Sequence, residues 1–236
     1  MLKKINFKKI IKITAMAAIA SGIFLPAMVE ATVAQDKDKD KNKDKTAINE
    51  LTHLLQDTHT FSADFEQEIK DKKGVVVSES SGKVKISRPG KFYWKIEHPE
   101  PVLVVADGKV LWHYDIELEQ VTKKELNKAL ANSPAALLAG STDALKHNFK
   151  ATYAKASSCK IDNDTCISLV STEADPLFTE IKIAFKNKKL IAMEMRDPLG
   201  QIIWTQYHLV HLNSEIDKNV FNFTPPKNTD VIQSSQ

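Results

Sequence analysis

The side chains best suited to metal binding or acid–base catalysis are seven histidines, scattered along a chain of 236 residues. His208 and His211 come closest to a metal-binding spacing. The segment around them alternates like a β-strand, however, and should place residues three apart on opposite faces. The sequence contains no His-Glu-x-x-His, Gly-x-Ser-x-Gly or phosphate-loop motif, and no carboxylate pair stands out. We therefore predict no catalytic residue, no metal site and no cofactor.

Arg88 is unusual among the cationic residues. It precedes Pro89 and is one of two arginines, with Arg196, among the 33 lysines and arginines of the chain. Where lysine is the common cation, an arginine suggests a contact that needs a planar guanidinium with several donors. A surface position with no special contact is the alternative interpretation, and the residue types leave both open.

Large apolar residues concentrate where predicted strands should face predicted helices. They are Phe61, Phe65, Phe92, Trp94, Leu111 and Trp112 on strands, and Leu137 and Leu138 on a short helix. Buried aromatic residues usually belong to an ordinary core. A wall that faces an apolar ligand is the second possibility, and composition does not decide between the two.

Most of the chain has the two-residue period of β-strands. Phe61, Ala63 and Phe65 alternate with polar residues, and Asp107-Gly108 has the composition of a two-residue hairpin turn. Asn187-Lys188 lies at a similar junction. Further strands are predicted over residues 75–86, 91–96, 102–106, 109–114, 179–186, 189–196, 201–212 and 220–224. We expect one long, curved, antiparallel sheet.

Two helical segments accompany the strands. Thr46 can cap an amphipathic helix that ends near Thr58. A second region includes a possible helix over 124–131 and a short helix over 135–139, which Ser133-Pro134 would start. The short helix is apolar nearly all round, so we expect it to lie against the sheet or to cover an apolar cavity. The fold class is mostly β (α+β), and we expect a single domain over residues 46–236.

Residues 1–34 have the pattern of a secretory signal peptide: five lysines in the first twelve positions, an apolar run over 13–29, and small residues that allow cleavage after Ala31 or Ala34. A membrane anchor is the alternative, but the run is short for a membrane span and contains Pro26. No cysteine follows the cleavage points, so we predict a soluble periplasmic protein without its own lipid. Residues 35–45 alternate aspartate and lysine and should form a disordered, solvated tether.

Removal of the signal peptide changes the charge of the protein. Of 33 basic and 30 acidic side chains, residues 1–34 hold five and one, which leaves 28 and 29. A nearly neutral protein offers no electrostatic reason to bind nucleic acid.

The two cysteines, Cys159 and Cys166, enclose a turn-rich segment. Their spacing is not Cys-x-x-Cys, which argues against a redox or zinc site. In the oxidising periplasm such a pair favours a disulfide, and closing this loop would stabilise the fold by about 2.5 kcal/mol in the chain-entropy model. We predict a disulfide that staples a hairpin.

Residues 87–94, SRPGKFYW, resemble the arginine-proline…phenylalanine-x-tryptophan signature of outer-membrane lipoprotein carrier proteins, the LolA family. Five more segments resemble that family in the same order: 61–67 (FSADFEQ), 107–114 (DGKVLWHY), 119–122 (EQVT), 133–138 (SPAALL) and 221–226 (FNFTPP). The resemblance spans about residues 47–232. The cysteine pair and the charged tether are not part of the family pattern.

The resemblance implies an incomplete antiparallel β-barrel with helices that form a lid over an apolar cavity. It implies a monomeric carrier that takes acylated lipoproteins from an inner-membrane ABC transporter and passes them to an outer-membrane receptor. Arg88 would be the latch that holds the lid closed. The acyl chains would contact Phe65, Phe92, Trp94, Leu111, Trp112, Leu137 and Leu138.

Two other functions are compatible with a domain of this kind. A regulatory module that senses lipids or lipoproteins could use the same half-barrel, although such regulators carry a second domain for which this chain has no length. A periplasmic hydrolase is the other alternative, which the lack of a nucleophile motif disfavours.

Overall fold

The computed structural model describes residues 46–126 and 146–233. The predicted signal peptide, the tether and the short helix that carries Leu137 and Leu138 lie outside these residues. Helix α1 covers residues 46–56, in agreement with the prediction. The strands are β1 (Thr60–Lys70), β2 (Val76–Ser87), β3 (Lys91–His98), β4 (Val102–Asp107), β5 (Val110–Asp115), β6 (Gln120–Glu125), β7 (Phe149–Tyr153), β8 (Thr165–Ser171), β9 (Glu180–Lys186), β10 (Lys189–Arg196), β11 (Ile202–Leu212) and β12 (Asp230–Gln233).

The twelve strands form one sheet in the order β12-β6-β5-β4-β3-β2-β1-β11-β10-β9-β8-β7. Within the described parts of the chain the sheet is open, because β12 and β7 end it and do not pair with each other. The predicted antiparallel arrangement holds for every described pair except β12 and β6, which run parallel. β1 lies near the middle, between β2 and β11, so the N-terminal and C-terminal halves of the sheet meet there.

The two-residue period positions the core on one face, which we call the inner face. Phe61, Ala63 and Phe65 on β1 are 4%, 7% and 1% exposed, as their alternation with polar residues predicts. Helix α1 packs Leu51 and Leu55 against the same cluster. The core therefore lies between the inner face of the sheet and the helix.

The predicted hairpin turns form where expected. Gly108 has a φ of +102° between β4 and β5, and Asn187 and Lys188 have φ values of 50° and 62° between β9 and β10. The Asp107 carboxylate accepts hydrogen bonds from the backbone N–H groups of Lys109 and Val110. These turns fix the register of the strands that they join.

A second, smaller cluster lies on the opposite, outer face of the sheet. The disulfide between Cys159 and Cys166 forms, as predicted, and packs with Ala184, Ala192 and Trp204. It joins the short 3₁₀-helix Ala156–Cys159 to the first residues of β8. The bond therefore staples the β7–β8 connection to the sheet.

The C-terminal segment differs from the prediction. Residues 220–224 do not form a strand; a 3₁₀-helix covers Lys218–Phe221, and the Asp217 side chain accepts a hydrogen bond from the N–H of Asn219. Phe221 is buried, and Phe223 packs on the outer face instead of pairing at a sheet edge. Alternating apolar residues can pack in this way without strand pairing, which is why their period misled the prediction.

One smaller expectation also changes. Lys124 and Glu125 belong to β6, so a helix cannot start at residue 124, and most of the segment 124–131 lies outside the described residues. In the parts of the chain that the structure describes, no helix combines the length and hydropathy needed to cross a membrane.

Gly82 on β2 allows a close approach to β3. A Cβ atom placed on it would lie 1.9 Å from the backbone oxygen of Lys95, which is far inside contact distance. We predict that Gly82→Ala lowers the free energy of unfolding by about 3 kcal/mol, because the two strands must separate to admit the methyl group. Urea unfolding measures the loss. Ser80→Ala on the same strand is the control, and equal stability of the two variants would contradict the prediction.

Candidate functional site

Three aromatic side chains form a stack on the inner face. The rings of Phe65 and Trp94 are 3.8 Å apart between centroids with an interplanar angle of 25°, and those of Phe92 and Trp94 are 6.1 Å apart and nearly parallel, at 9°. Phe65 lies on β1, whereas Phe92 and Trp94 lie on β3, with β2 between them. Gly82 on β2 pairs with Phe65, and its lack of a side chain lets the rings meet across that strand.

The stack continues toward β5 through aliphatic residues. Leu111, Val104 and Ile96 are partly buried and pack against the same inner cluster. Trp94 is also only partly buried, whereas Phe65 is 1% exposed. The inner face is therefore more deeply buried over β1 than at Trp94, Val104 and Leu111, although Phe92 and Ala106 beside them are also buried. An apolar ligand could contact these partly buried side chains.

Trp112 lies on the opposite face from Leu111, since consecutive residues of a strand alternate. Its ring centroid is 5.7 Å from that of Phe223, and the Lys123 Nζ lies 5.1 Å from it. The structure thus places four of the seven residues predicted to contact ligand on the inner face: Phe65, Phe92, Trp94 and Leu111. It places Trp112 on the outer face. Leu137 and Leu138 lie outside the described residues.

Arg88 follows β2 and borders a small cavity of about 20 Å³ at one end of the inner face. Mostly apolar residues line the rest of that cavity, together with Thr58 and Lys188: Leu54, Leu55, Phe61, Ile86, Phe185, Leu190 and Leu212. The backbone N–H of Arg88 donates to the carbonyl oxygen of His59 at 2.9 Å. Burial lowers the pKa of the Arg88 guanidinium, because a charged group loses hydration in apolar surroundings.

Arg88 and helix α1 line the same small cavity. A cavity of about 20 Å³ has room for roughly one water molecule, so in this form it cannot admit an acyl chain. The sequence identified Arg88 as unusual but did not indicate Leu54 and Leu55 as its neighbours. The helical spacing of apolar residues in α1 predicted that Leu54 and Leu55 would be buried, but it did not indicate that they would lie near Arg88.

The two C-terminal histidines differ from the prediction in one respect. His208 is opposite Asp64 and His211 is opposite Ser62, so the register shift between these pairs puts both histidines on one face. The shift is a β-bulge at Leu209, which has a φ of 50°. Among residues 46–126 and 146–233, no three histidine, cysteine, aspartate or glutamate side chains are grouped so that they could hold a metal ion.

A buried carboxylate lies on the outer face beside the disulfide. Glu194 is 3% exposed and accepts hydrogen bonds from Lys160 at 2.6 Å and Lys182 at 3.2 Å. Burial acts to raise the pKa of Glu194, but the hydrogen bond from Lys160 and the charges of both lysines outweigh it, so the pKa is lowered. Lys160 lies inside the disulfide loop, and this ion pair therefore holds the loop on the sheet.

We predict that Glu194→Gln destabilises the protein by about 2 kcal/mol at pH 7, because hydrogen bonds to a charged group are lost. The folded carboxyl has a lower pKa than the unfolded one, so its contribution is present at neutral pH and is lost as the pH falls below the ordinary glutamate range. The stability difference between the wild type and the variant should therefore shrink on acidification. Urea unfolding at pH 7 and at pH 3 measures it, and a difference independent of pH would contradict the assignment.

Residues 56–224 match the family model described as "Outer membrane lipoprotein carrier protein LolA". An outer-membrane lipoprotein carrier protein from Chromohalobacter salexigens is 36% identical over 183 residues, which cover 78% of this chain and 85% of the relative. One from Legionella pneumophila (strain Lens) is 35% identical over 189 residues, which cover 80% and 91%. A solved structure of an uncharacterised conserved protein from Thermus thermophilus has a TM-score of 0.50 at 11% identity, covers 80% of this chain and 99% of its own, and supports the fold alone. With matches of this extent, the chain belongs to the outer-membrane lipoprotein carrier family, LolA.

Proposed function

We propose that this protein is a periplasmic carrier that accepts acylated lipoproteins from an inner-membrane ABC transporter and delivers them to an outer-membrane receptor. The observation that carries the proposal is the aromatic stack on the inner face of an open sheet, where Trp94 and Leu111 are only partly buried. Family membership supports the carrier role. The protein acts as a monomer, without enzymatic activity, nucleic acid or cofactor.

The acyl chains would lie along Phe65, Phe92, Trp94 and Leu111. These side chains come from β1, β3 and β5, so together they extend across several strands, as a long apolar ligand requires. Flat rings give a large contact area with little loss of side-chain freedom. Trp112 belongs to the outer face and is not part of the proposed wall.

The binding energy must be partly offset for the carrier to release its cargo. Three acyl chains of about 15 methylenes each, at about 0.8 kcal/mol per methylene, would gain roughly 36 kcal/mol on leaving water. Non-covalent affinities saturate near 20 kcal/mol. A carrier that realised the full gain would not deliver, so loading must be coupled to an unfavourable change in the carrier.

Opening of the inner face provides such a change. The cavity beside Arg88 measures about 20 Å³, so an acyl chain that enters this end must separate α1 from the strands around it. Separation is unfavourable, because it exposes the apolar side chains of Leu54 and Leu55 to water. We propose that Arg88 acts as the latch that stabilises the closed form, and that Leu137 and Leu138 belong to the lid.

Mass spectrometry of the protein purified from the periplasm tests this function. Residues 1–34 are proposed as the signal peptide that directs export, and the purified chain should therefore begin at residue 32 or 35. A triacylated lipoprotein should co-purify with it. Free lipid alone would instead indicate a different lipid binder, and an empty protein would favour a sensor on the same half-barrel.

A further inference from the structure

An exposed apolar surface lies at the end of the sheet where β1 turns into β2. Val75, Val76 and Val77 are 58%, 42% and 56% exposed, and Leu199 in the turn between β10 and β11 is 65% exposed. The two turns touch, since a Cβ atom on Gly200 would lie 3.2 Å from the Cβ of Lys72. We call Val75, Val76, Val77 and Leu199 the apolar tip.

Three backbone N–H groups of the turn that presents the apolar tip donate hydrogen bonds within the turn. The Asp71 carboxylate accepts from the N–H groups of Lys73 at 2.8 Å and Val75 at 3.0 Å, and the Asp71 carbonyl accepts from Gly74 at 2.9 Å. A bulge leaves Val77 between the pairs Lys70↔Val76 and Ile69↔Ser78. Because these N–H groups already have partners within the turn, moving the tip from water into a lipid surface costs less free energy.

Basic side chains flank the apolar tip. Lys72 and Lys73 are exposed in the turn itself, while Lys70 forms an ion pair with Glu68. The Asp71 carboxylate accepts hydrogen bonds from two backbone N–H groups and points back into the turn. With two lysines against one aspartate, the net charge of the turn is positive. Aliphatic side chains bordered by lysines suit the boundary between anionic lipid headgroups and acyl chains.

We propose that the apolar tip inserts shallowly into the surface of a bilayer that contains anionic phospholipid. The exposed area of its four side chains is on the order of 400 Å², about half of the roughly 800 Å² that one partner contributes to a stable protein interface. The tip also lacks the tryptophan, tyrosine and arginine residues that dominate such interfaces. A narrow hairpin with aliphatic ends and a basic rim fits a lipid surface better.

This surface lies apart from the proposed acyl-chain wall, so it adds a second property to the carrier. Membrane contact through a few aliphatic side chains is weak and reversible, and each lysine near an anionic surface strengthens binding about fivefold. The contact would orient the protein at the membrane while the cargo enters or leaves, and it would still allow the protein to depart.

Sedimentation with vesicles tests the proposal, with protein purified from the periplasm. The wild type should bind vesicles of phosphatidylglycerol and phosphatidylcholine, and should bind pure phosphatidylcholine at least tenfold less. The double variant Val75→Asp and Val77→Asp should lose at least tenfold of the binding to the mixed vesicles. The matched control is Leu209→Asp, since Leu209 is 73% exposed and lies toward the other end of β11; it should bind like the wild type.

Other variants and outcomes make the result decisive. Lys72→Glu with Lys73→Glu should weaken binding to anionic vesicles without changing the apolar tip, and thermal melting should be unchanged in all variants. Absence of wild-type binding, or equal binding by the Val75 and Val77 variant, overturns the proposal. The Val75 and Val77 variant could also lose transporter-dependent loading while it still binds vesicles. That result would assign the apolar tip to a protein contact and would overturn the membrane proposal as well. The lipoprotein that co-purifies reports the carrier function separately.

Discussion

Trp94→Ala should lower the affinity for lipoprotein about 30-fold, because the variant loses roughly 2 kcal/mol of apolar contact with the acyl chains. Trp94 is a partly buried member of the aromatic stack and lies 3.8 Å from Phe65 between ring centroids. The measurement is the amount of triacylated lipoprotein that co-purifies with the variant, together with its retention in a competition assay against the wild type.

Trp112→Ala is the matched control for this prediction. It removes the same side chain from the outer face, where the ring packs on Phe223. Both variants should lose stability, since each removes an aromatic ring from a packed cluster. If the inner face binds the cargo, Trp94→Ala should lose co-purifying lipoprotein, whereas Trp112→Ala should retain it. Equal loss of cargo from both variants would mean that reduced stability, and not ligand contact, explains the effect.

The architecture of the sheet was largely predictable because its strands carry a local signal. Phe61, Ala63 and Phe65 alternate with polar residues in the first half of β1. Asp107-Gly108 and Asn187-Lys188 indicated two hairpins at their observed positions. Such signals depend on residues that are close in sequence. They therefore predicted eight of the twelve described strands but not β6, β7, β8 and β12. The family resemblance supplied the expectation of an open, barrel-like sheet.

The differences arise where distant contacts decide the structure. Phe221 and Phe223 alternate like residues of a strand, but Phe221 is buried in a 3₁₀-helix and Phe223 packs beside Trp112 on the outer face. β12 pairs with β6 in parallel, which requires the end of the chain to return to β6. The bulge at Leu209 required a positive φ at a leucine, which residue type does not indicate. No local pattern carries this information.

In the candidate site, too, local sequence patterns predicted some features, whereas distant contacts determined the others. The two-residue period puts Leu111 and Trp112 on opposite faces, so their joint assignment to the ligand-contacting residues conflicted with the strand prediction for this segment. The neighbours of Arg88 come from α1, β1, β9, β10 and β11, and only the folded chain brings them together. Residue type identified Arg88 as unusual, whereas its place beside α1 required the structure.

Arg88→Leu should fold and load lipoprotein but deliver it about 30-fold more slowly to the outer-membrane receptor. The guanidinium is held in apolar surroundings that lower its pKa, and we propose that its polar contacts stabilise the closed form. Their loss, worth roughly 2 kcal/mol for hydrogen bonds of a charged group, would stabilise the open, loaded form relative to the closed one. Cargo would then leave more slowly, because release must be accompanied by closure.

The measurement is the transfer of labelled lipoprotein from the loaded carrier to the receptor in detergent-free solution. Arg88→Lys keeps the charge but loses the planar group of donors, so its rate should fall between those of the wild type and Arg88→Leu. Arg196→Leu replaces the other arginine of the chain, which lies at the end of β10, and should transfer at the wild-type rate. Normal transfer by Arg88→Leu would exclude the latch, because closure would then be independent of the guanidinium.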